Sequence, residues 1–250
     1  MNKFEASLDG VTFTSKGCRL LGGLYKAAGP TPRPTAVLLH GLPGIEKNLD
    51  IAYRLRDLGW NCLYFHFRGC WGSEGTFSLA WLADDTHAAV EWVLKQQSVD
   101  KDRIALIGAS TGSYPALICG GADPRIRVIV GVSPLIEPRA FHFPGEMAGE
   151  FAGMLNGVTG QDLREQWQAL PSLADSLRAF APRPILLVAA DKDAIFPPSH
   201  YAESIARLAN VQLVRNEESD HGFSGCRPWL ARTVTDWLAA VFSEESFMSH

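Results

Sequence analysis

The sequence predicts an α/β domain in which helices cover both faces of a mostly parallel β-sheet. Short apolar segments of strand length, such as 35–39 and 184–190, alternate with longer segments whose apolar residues have helical spacing. Another such segment, 104–107, runs through a glycine-rich turn directly into a helical pattern. A chain of 250 residues with 46% hydrophobic content can bury the core of one such domain, so we expect residues 1–250 to form a single domain.

Charge and composition exclude several classes of function. The net charge of −4 provides no basic face for nucleic acid or for an anionic membrane. The N-terminal segment lacks the apolar core of a signal peptide, and no apolar run is long enough to span a bilayer. The five cysteines form no CxxC pair, which indicates free thiols and no metal site. We therefore expect a cytoplasmic protein without nucleic-acid or membrane partners.

The N-terminal residues have the pattern of an antiparallel sheet edge. Segments 4–8, 11–14 and 20–25 have strand character. Asp9-Gly10 and Lys16-Gly17 between them are typical of tight turns, so three short strands are predicted.

The first strongly apolar strand, 35–39, ends in the sequence HGLPG. Residues 51–58 have helical spacing with Gly59 as a C-cap, and strand 61–67 follows. The next segment, 68–75, is too rich in glycine for regular structure.

Two interpretations of this glycine-rich loop stay open. Trp71 forms a wall of an active-site mouth, or the loop is structural and Arg68 binds carbonyls or carboxylates. A long amphipathic helix is predicted over 78–97, with Asp84 and Asp85 on its solvated side.

The sequence Gly108-Ala109-Ser110-Thr111-Gly112 matches the GxSxG nucleophile elbow, a sharp strand-to-helix turn with serine at its apex. The glycines on either side remove the Cβ atoms that would collide where strand and helix meet. The serine hydroxyl then projects out of the fold beside the N–H groups of a helix N-terminus. Ser110 is the candidate nucleophile.

A nucleophile of this kind needs two N–H donors for the oxyanion that forms on the substrate. Thr111, which follows the nucleophile, supplies one. Pro43 has no N–H, so the HGLPG loop supplies the other from Gly41 or Leu42, and we favour Leu42. His40 is interpreted as a structural support for this loop.

About fifty residues separate the buried strands 127–132 and 184–190, more than a simple connection needs. The segment 135–181 is rich in large apolar residues and predicts a helical insertion above the carboxyl ends of the strands. It forms a lid over an acyl pocket, or a subdomain with its own core. The candidate pocket residues are Trp71, Phe141, His142, Phe143 and Phe196.

The acid and base candidates follow the last two strands. The loop after 184–190 contains Asp191 and Asp193, of which Asp193 lies further into the loop and is favoured. His221 lies in the polar loop after strand 211–216 and is the candidate base, because His200 is too close to the acid to reach Ser110.

The order Ser110, Asp193, His221, together with the upstream HG loop, resembles the α/β-hydrolase superfamily over nearly the whole chain. The DxxxP spacing at Asp193, the HGF sequence at Gly222 and the RGxxGSEG loop look like small intracellular esterases related to dienelactone hydrolases, cinnamoyl esterases and the catalytic domains of prolyl oligopeptidases. The resemblance implies an α/β-hydrolase fold with a mostly parallel sheet of eight or seven strands, a small helical lid and no cofactor. Dienelactone hydrolases carry cysteine in the elbow, and the serine here argues for ordinary ester cleavage.

These features predict a serine hydrolase of the carboxylesterase type that acts on a small-molecule ester. Two alternatives stay open. One is a peptidase or amidase like the prolyl oligopeptidases. The other is a catalytically inactive binding protein that keeps the fold.

Overall fold

The computed structural model describes residues 5–248, with the side chains of residues 5–243. Eight strands form one sheet in the order β1-β2-β4-β3-β5-β6-β7-β8. The strands are β1 Ser7–Ser15, β2 Cys18–Lys26, β3 Arg33–Leu39, β4 Asn61–Phe65, β5 Val99–Ala109, β6 Ile126–Val132, β7 Ile185–Ala190 and β8 Val211–Asn216. The β1–β2 and β2–β4 pairs are antiparallel, and the remaining neighbours are parallel. The predicted α/β fold with a mostly parallel sheet is confirmed.

The helices are α1 Leu49–Asp57, α2 Leu82–Leu94, α3 Ser113–Ala122, α4 Gly145–Ala152, α5 Gly160–Ala169, α6 Ala174–Phe180, α7 Ala202–Ile205 and α8 Arg227–Met248. Helices α1 and α8 pack together on one face of the sheet, whereas α2, α3 and α6 lie on the other. None of the helices between residues 5 and 248 combines the length and apolar character needed to cross a lipid bilayer.

The sheet has a hydrophobic core on each face, and alternating side chains of β3 pack into the two cores. Ala36 and Leu38 face the α1–α8 layer, whereas Val37 and Leu39 face the layer of α2 and α3. A strand buried on both faces reads as a continuous apolar run, which is why the sequence identifies it.

The N-terminal edge differs from its prediction. Asp9-Gly10 lies inside β1, where Gly10 pairs with Gly23 of β2, and the only turn between these two strands is at Lys16-Gly17. The predicted turn at Asp9-Gly10 is therefore wrong, because an unbroken antiparallel ladder with β2 holds these residues extended. Phe4, the start of the predicted first strand, lies outside the described residues.

The glycine-rich loop after β4 is anchored by a buried ion pair. Arg68 donates from its backbone N–H to Asp85 Oδ2 at 2.9 Å and from its Nε to Asp85 Oδ1 at 2.7 Å. Asp85 is 1% exposed, so its predicted place on the solvated side of α2 is wrong. Arg68 occupies that side of the helix, and a buried carboxylate needs such a partner.

Helices α4, α5 and α6 lie between β6 and β7, inside the segment 135–181. This insertion is attached to the glycine-rich loop, since Asn156 N–H donates to Gly69 O at 2.8 Å and Phe77 N–H donates to Asn156 O at 2.9 Å. Helix α6 also packs on α3, the helix that follows the elbow. The insertion thereby adjoins both the elbow helix and the loop of Trp71.

Candidate active site

The elbow has the backbone that its sequence predicts. Ser110 lies between β5 and α3 with a φ of 53°, a left-handed conformation that is uncommon for residues other than glycine. A Cβ at Gly108 would lie 2.4 Å from Gly112 O, and a Cβ at Gly112 would lie 2.1 Å from Leu39 O. Only glycine fits at these two positions, so the close approach of strand and helix forces Ser110 outward.

The structure brings Ser110, His221 and Asp193 into one hydrogen-bonded chain. His221 Nε2 lies 2.9 Å from Ser110 Oγ, and His221 Nδ1 lies 2.8 Å from Asp193 Oδ2. Each residue stands in a loop or turn just beyond the carboxyl end of a different parallel strand, namely β5, β7 and β8. These ends meet at one edge of the sheet, which explains how residues far apart in sequence come together.

Asp193 is set up to remain a carboxylate. Its Oδ1 accepts backbone N–H groups of Ile195 at 2.8 Å and Phe196 at 2.9 Å. Burial acts to raise the pKa of Asp193, but hydrogen bonds from His221 and from these two N–H groups outweigh it and lower the pKa. The Asp193 carboxylate therefore accepts a hydrogen bond from the Nδ1–H of His221, and in this tautomer the unprotonated Nε2 faces Ser110 Oγ.

Two other carboxylates of these loops, Asp191 and Asp220, have different partners. Asp191 Oδ1 accepts from Arg215 Nε at 2.8 Å, and Asp220 Oδ1 accepts the N–H of Ser224 at 2.8 Å. The imidazole of His221 contacts Asp193 and neither of these carboxylates. The edge of its ring also meets Phe196, with ring centroids 5.4 Å apart.

The HGLPG loop lies directly against the elbow. A Cβ at Gly41 would lie 2.8 Å from the Cβ of Ser110. Leu42 N–H, the favoured oxyanion donor, donates to Thr111 Oγ1 at 2.7 Å in this structure. Leu42 and Thr111, the two residues predicted to bind the oxyanion, are therefore in contact beside Ser110.

His40 supports this loop as a neutral side chain. Its Nδ1 lies 2.8 Å from Gly41 O, and its Nε2 accepts the N–H of Phe67 at 3.4 Å. Burial lowers the pKa of His40 to about 4. A neutral ring satisfies both contacts, since one nitrogen donates and the other accepts.

Trp71 touches the same loop from outside. Its indole N–H donates to Pro43 O at 2.7 Å, and its side chain is 44% exposed. The φ of Trp71 is 46°, which aims the ring back toward Pro43 and Gly44. Trp71 thus braces the loop that carries Leu42.

The sequence model of the prolyl oligopeptidase family matches residues 51–245, which include the elbow, the acid and the base. The chain belongs to the prolyl oligopeptidase family. Uncharacterized protein YfhR of Salmonella typhimurium is 27% identical over 234 residues, 88% of this chain and 77% of YfhR. Uncharacterized protein MT2364 of Mycobacterium tuberculosis is 32% identical over 142 residues, 56% of this chain. That match spans 50% of the length of MT2364.

Solved structures show the same fold. Est1E from Butyrivibrio proteoclasticus, in a structure with ferulic acid bound, superposes with a TM-score of 0.76 at 18% sequence identity. The superposition covers 93% of this chain and 99% of Est1E. This member of the prolyl oligopeptidase family therefore has the α/β-hydrolase fold.

A cavity of about 200 Å³ opens at Ser110 and His221 of this family member. Its wall comes from the HGLPG loop and the residues after it, from the ends of β5 and β6, from the residue after His221 and from the start of α8. These residues are Gly41, Leu42, Pro43, Gly44, Ile45, Glu46, Asn48, Ala109, Val132, Gly222 and Arg227. Arg227 is fixed there by Asp50, whose Oδ2 accepts from Arg227 Nε at 3.0 Å. The sequence reasoning missed Ile45, Glu46, Asn48 and Arg227, although their place after β3 and β8 at the carboxyl edge was a usable signal.

In the described part of the chain, the wall of this cavity includes none of the five predicted pocket residues. Phe141, Phe143 and Phe196 pack around Trp167, with ring centroids 5.0–5.9 Å apart. His142 is exposed and, together with Phe141 and Phe143, lines a separate hollow of about 410 Å³ on the insertion. The aromatic side chains fill the core of the insertion, and Trp71 braces the neighbouring loop from outside.

Among residues 5–243, one set of side chains has the spacing of a metal site: His87, Glu91 and Asp123. The guanidinium of Arg125 bonds to both Asp123 and Glu91. Arg125 therefore already pairs with both carboxylates, and the set is an ion-pair network between α2 and the end of α3.

Proposed function

We propose that this chain hydrolyses carboxylic esters through an acyl-enzyme intermediate on Ser110. The observation that carries the proposal is the continuous chain of contacts from Asp193 through His221 to Ser110, with distances of 2.8 and 2.9 Å. A serine hydroxyl is a weak nucleophile at neutral pH, and a base within hydrogen-bonding distance is what activates it.

The reaction follows from where charge develops. His221 Nε2 takes the proton of Ser110 as its oxygen attacks the ester carbonyl, and Asp193 stabilises the imidazolium that forms. The imidazolium then gives that proton to the departing alcohol. Water, activated by the same imidazole, cleaves the acyl-enzyme and releases the acid.

The oxyanion is bound by the N–H groups of Thr111 and Leu42. Each well-aimed donor contributes about 3 kcal/mol to transition-state stabilisation. In the resting enzyme the Leu42 N–H donates to Thr111 Oγ1, so it exchanges this neutral hydroxyl for the charged oxygen as the tetrahedral intermediate forms. The charged acceptor is the stronger partner, which favours that exchange.

The cavity supports a small and largely apolar substrate group. Its volume of about 200 Å³ is below the usual range of ligand pockets. Leu42, Ile45 and Val132 supply apolar walls, and the charge of Arg227 is paired with Asp50. We therefore expect esters with a short neutral substituent to be preferred over long or charged ones.

The test is hydrolysis of p-nitrophenyl esters of graded acyl length, measured beside the variant Ser110→Ala. We expect turnover to be greatest for short acyl chains and to vanish in the variant. Unchanged turnover in Ser110→Ala would refute the mechanism.

The family match favours a second candidate, cleavage of peptide or amide bonds. Aminoacyl p-nitroanilides separate the two activities, because they contain an amide bond and release p-nitroaniline, whereas the esters release p-nitrophenol. Turnover of an anilide at a rate equal to or above that of the matching ester would assign the chain to peptidases.

A further inference from the structure

Ser133 has an unusual backbone conformation, although it lies outside the nucleophile elbow. It follows β6 directly, is 2% exposed and has a φ of 42°. This left-handed conformation favours glycine, and a serine that adopts it is strained. Strain of this kind persists only where the surroundings hold the residue, and it is common at functional sites.

Two hydrogen bonds hold Ser133 in this conformation. Its N–H donates to Val188 O of the neighbouring strand β7 at 2.8 Å. Its hydroxyl donates to the backbone carbonyl of His221 at 2.8 Å. The strained backbone thus aims the Ser133 side chain at the loop that carries the proposed base.

The two ends of the base are held separately. Asp193 binds the imidazole through Nδ1, whereas Ser133 binds the backbone of the same residue. Residue 133 follows β6, the direct neighbour of β5, which ends at the elbow. The hydrogen bond from the Ser133 hydroxyl therefore fixes the His221 backbone relative to β6, the strand next to the one that ends at the nucleophile.

We propose that Ser133 is a positioning residue that keeps His221 Nε2 within hydrogen-bonding distance of Ser110 Oγ. The inference rests on the proposed function of the triad and adds a residue to it. Without the hydroxyl, the imidazole stays bonded to Asp193, but the His221 backbone gains freedom to move away from Ser110. A misplacement of about 1 Å at such a site costs up to about a hundredfold in rate.

The test uses Ser133→Gly and Ser133→Ala. Both variants remove the hydroxyl, but glycine relieves the backbone strain and alanine keeps it. Measured with p-nitrophenyl acetate, kcat is expected to fall about tenfold to a hundredfold in both, with KM changed less than about twofold because Ser133 is not part of the cavity wall. The melting temperature should be higher for Ser133→Gly than for Ser133→Ala.

A matched control is Thr86→Val in α2. Thr86 is fully buried and its hydroxyl donates to Leu82 O at 2.9 Å. The variant therefore also loses a hydrogen bond from a buried hydroxyl to a backbone carbonyl, but at a position far in sequence from the loop that carries His221. Its kcat should equal that of the wild type whatever its melting temperature. Equal loss of kcat in the control, or a kcat that follows melting temperature across the variants, would show a structural role only.

The rate of Ser110 labelling by a fluorophosphonate separates failure of this inference from failure of the proposed function. Wild-type labelling at Ser110 with a slower rate in Ser133→Gly supports the inference. Wild-type labelling with an equal rate in Ser133→Gly overturns the role of Ser133 and leaves the triad standing. No labelling of the wild type at Ser110 overturns both.

Discussion

Replacing Asp193 with asparagine has an outcome that the structure determines in detail. The Oδ1 of Asp193 accepts two backbone N–H groups, from Ile195 and Phe196, at 2.8 and 2.9 Å. In Asp193→Asn the amide oxygen must take this position, since an NH2 group cannot accept those bonds. The amide NH2 therefore faces His221 Nδ1, where the carboxylate oxygen stood at 2.8 Å.

This orientation selects the wrong tautomer of the base. An NH2 donor requires Nδ1 of His221 to be an acceptor, so the ring proton moves to Nε2 and points at Ser110. Nε2 is then unable to accept the Ser110 proton, and no charge is available to stabilise an imidazolium. We expect kcat for p-nitrophenyl acetate at pH 7 to fall about ten-thousandfold with little change in melting temperature.

The matched control is Asp191→Asn, which removes a charge from the same loop. Asp191 pairs with Arg215 on the surface, so its loss should change kcat less than about twofold. The reasoning would be refuted if Asp193→Asn retained more than a tenth of wild-type kcat, or if Asp191→Asn were the variant that lost activity.

Other predictions concern the supports of the site. The folded state holds the pKa of His40 at about 4 against 6.5 for the free side chain. The unfolded chain therefore binds the proton first as the pH falls, and the free energy of unfolding should drop by about 3 kcal/mol between pH 6.5 and 4 through His40. Urea unfolding should show a smaller pH dependence in His40→Gln, and an equal dependence would count against this assignment. Gly112→Ala places a Cβ 2.1 Å from a backbone oxygen and should destabilise the fold by about 3 kcal/mol or more in urea unfolding. In α4, by contrast, a Cβ at Gly149 meets no atom within 4 Å, so Gly149→Ala should stabilise the fold by about 0.5–1 kcal/mol. Equal stabilities of these two variants would contradict the packing account of the elbow. Trp71→Phe removes the indole bond to Pro43 O and should lower kcat about twofold to tenfold at constant KM, as steady-state kinetics with p-nitrophenyl acetate can check. Wild-type kcat in Trp71→Phe would show that the hydrogen bond to Pro43 O does not position the HGLPG loop.

The residues that the sequence located well are those whose surroundings are local. The elbow around Ser110 depends on glycines two positions away, and the buried strands are continuous apolar runs. Parallel strands place their carboxyl ends at one edge, so the loops of Asp193 and His221 could be assigned to that edge without coordinates. Which of Asp191 and Asp193 meets the imidazole was decided by loop order, and the contacts of both side chains agree with that choice.

The features that the sequence did not reveal depend on contacts between distant segments. The burial of Asp85 follows from Arg68, which approaches from another loop. Asp9-Gly10 stays extended because β2 pairs along its whole length. The aromatic residues of the insertion indicated a pocket, but they pack on one another, and the cavity instead opens between the HGLPG loop and the start of α8. Apolar composition alone does not distinguish a pocket wall from a small core.

The most direct test of the proposed triad is trapping of the acyl-enzyme. The protein is mixed with p-nitrophenyl acetate, quenched in acid during the first turnover and digested for mass spectrometry. One acetyl group is predicted on the peptide that contains Ser110, absent from Ser110→Ala and much reduced in His221→Ala. Ester turnover without an acyl group on Ser110, or with the acyl group on another residue, would contradict the account.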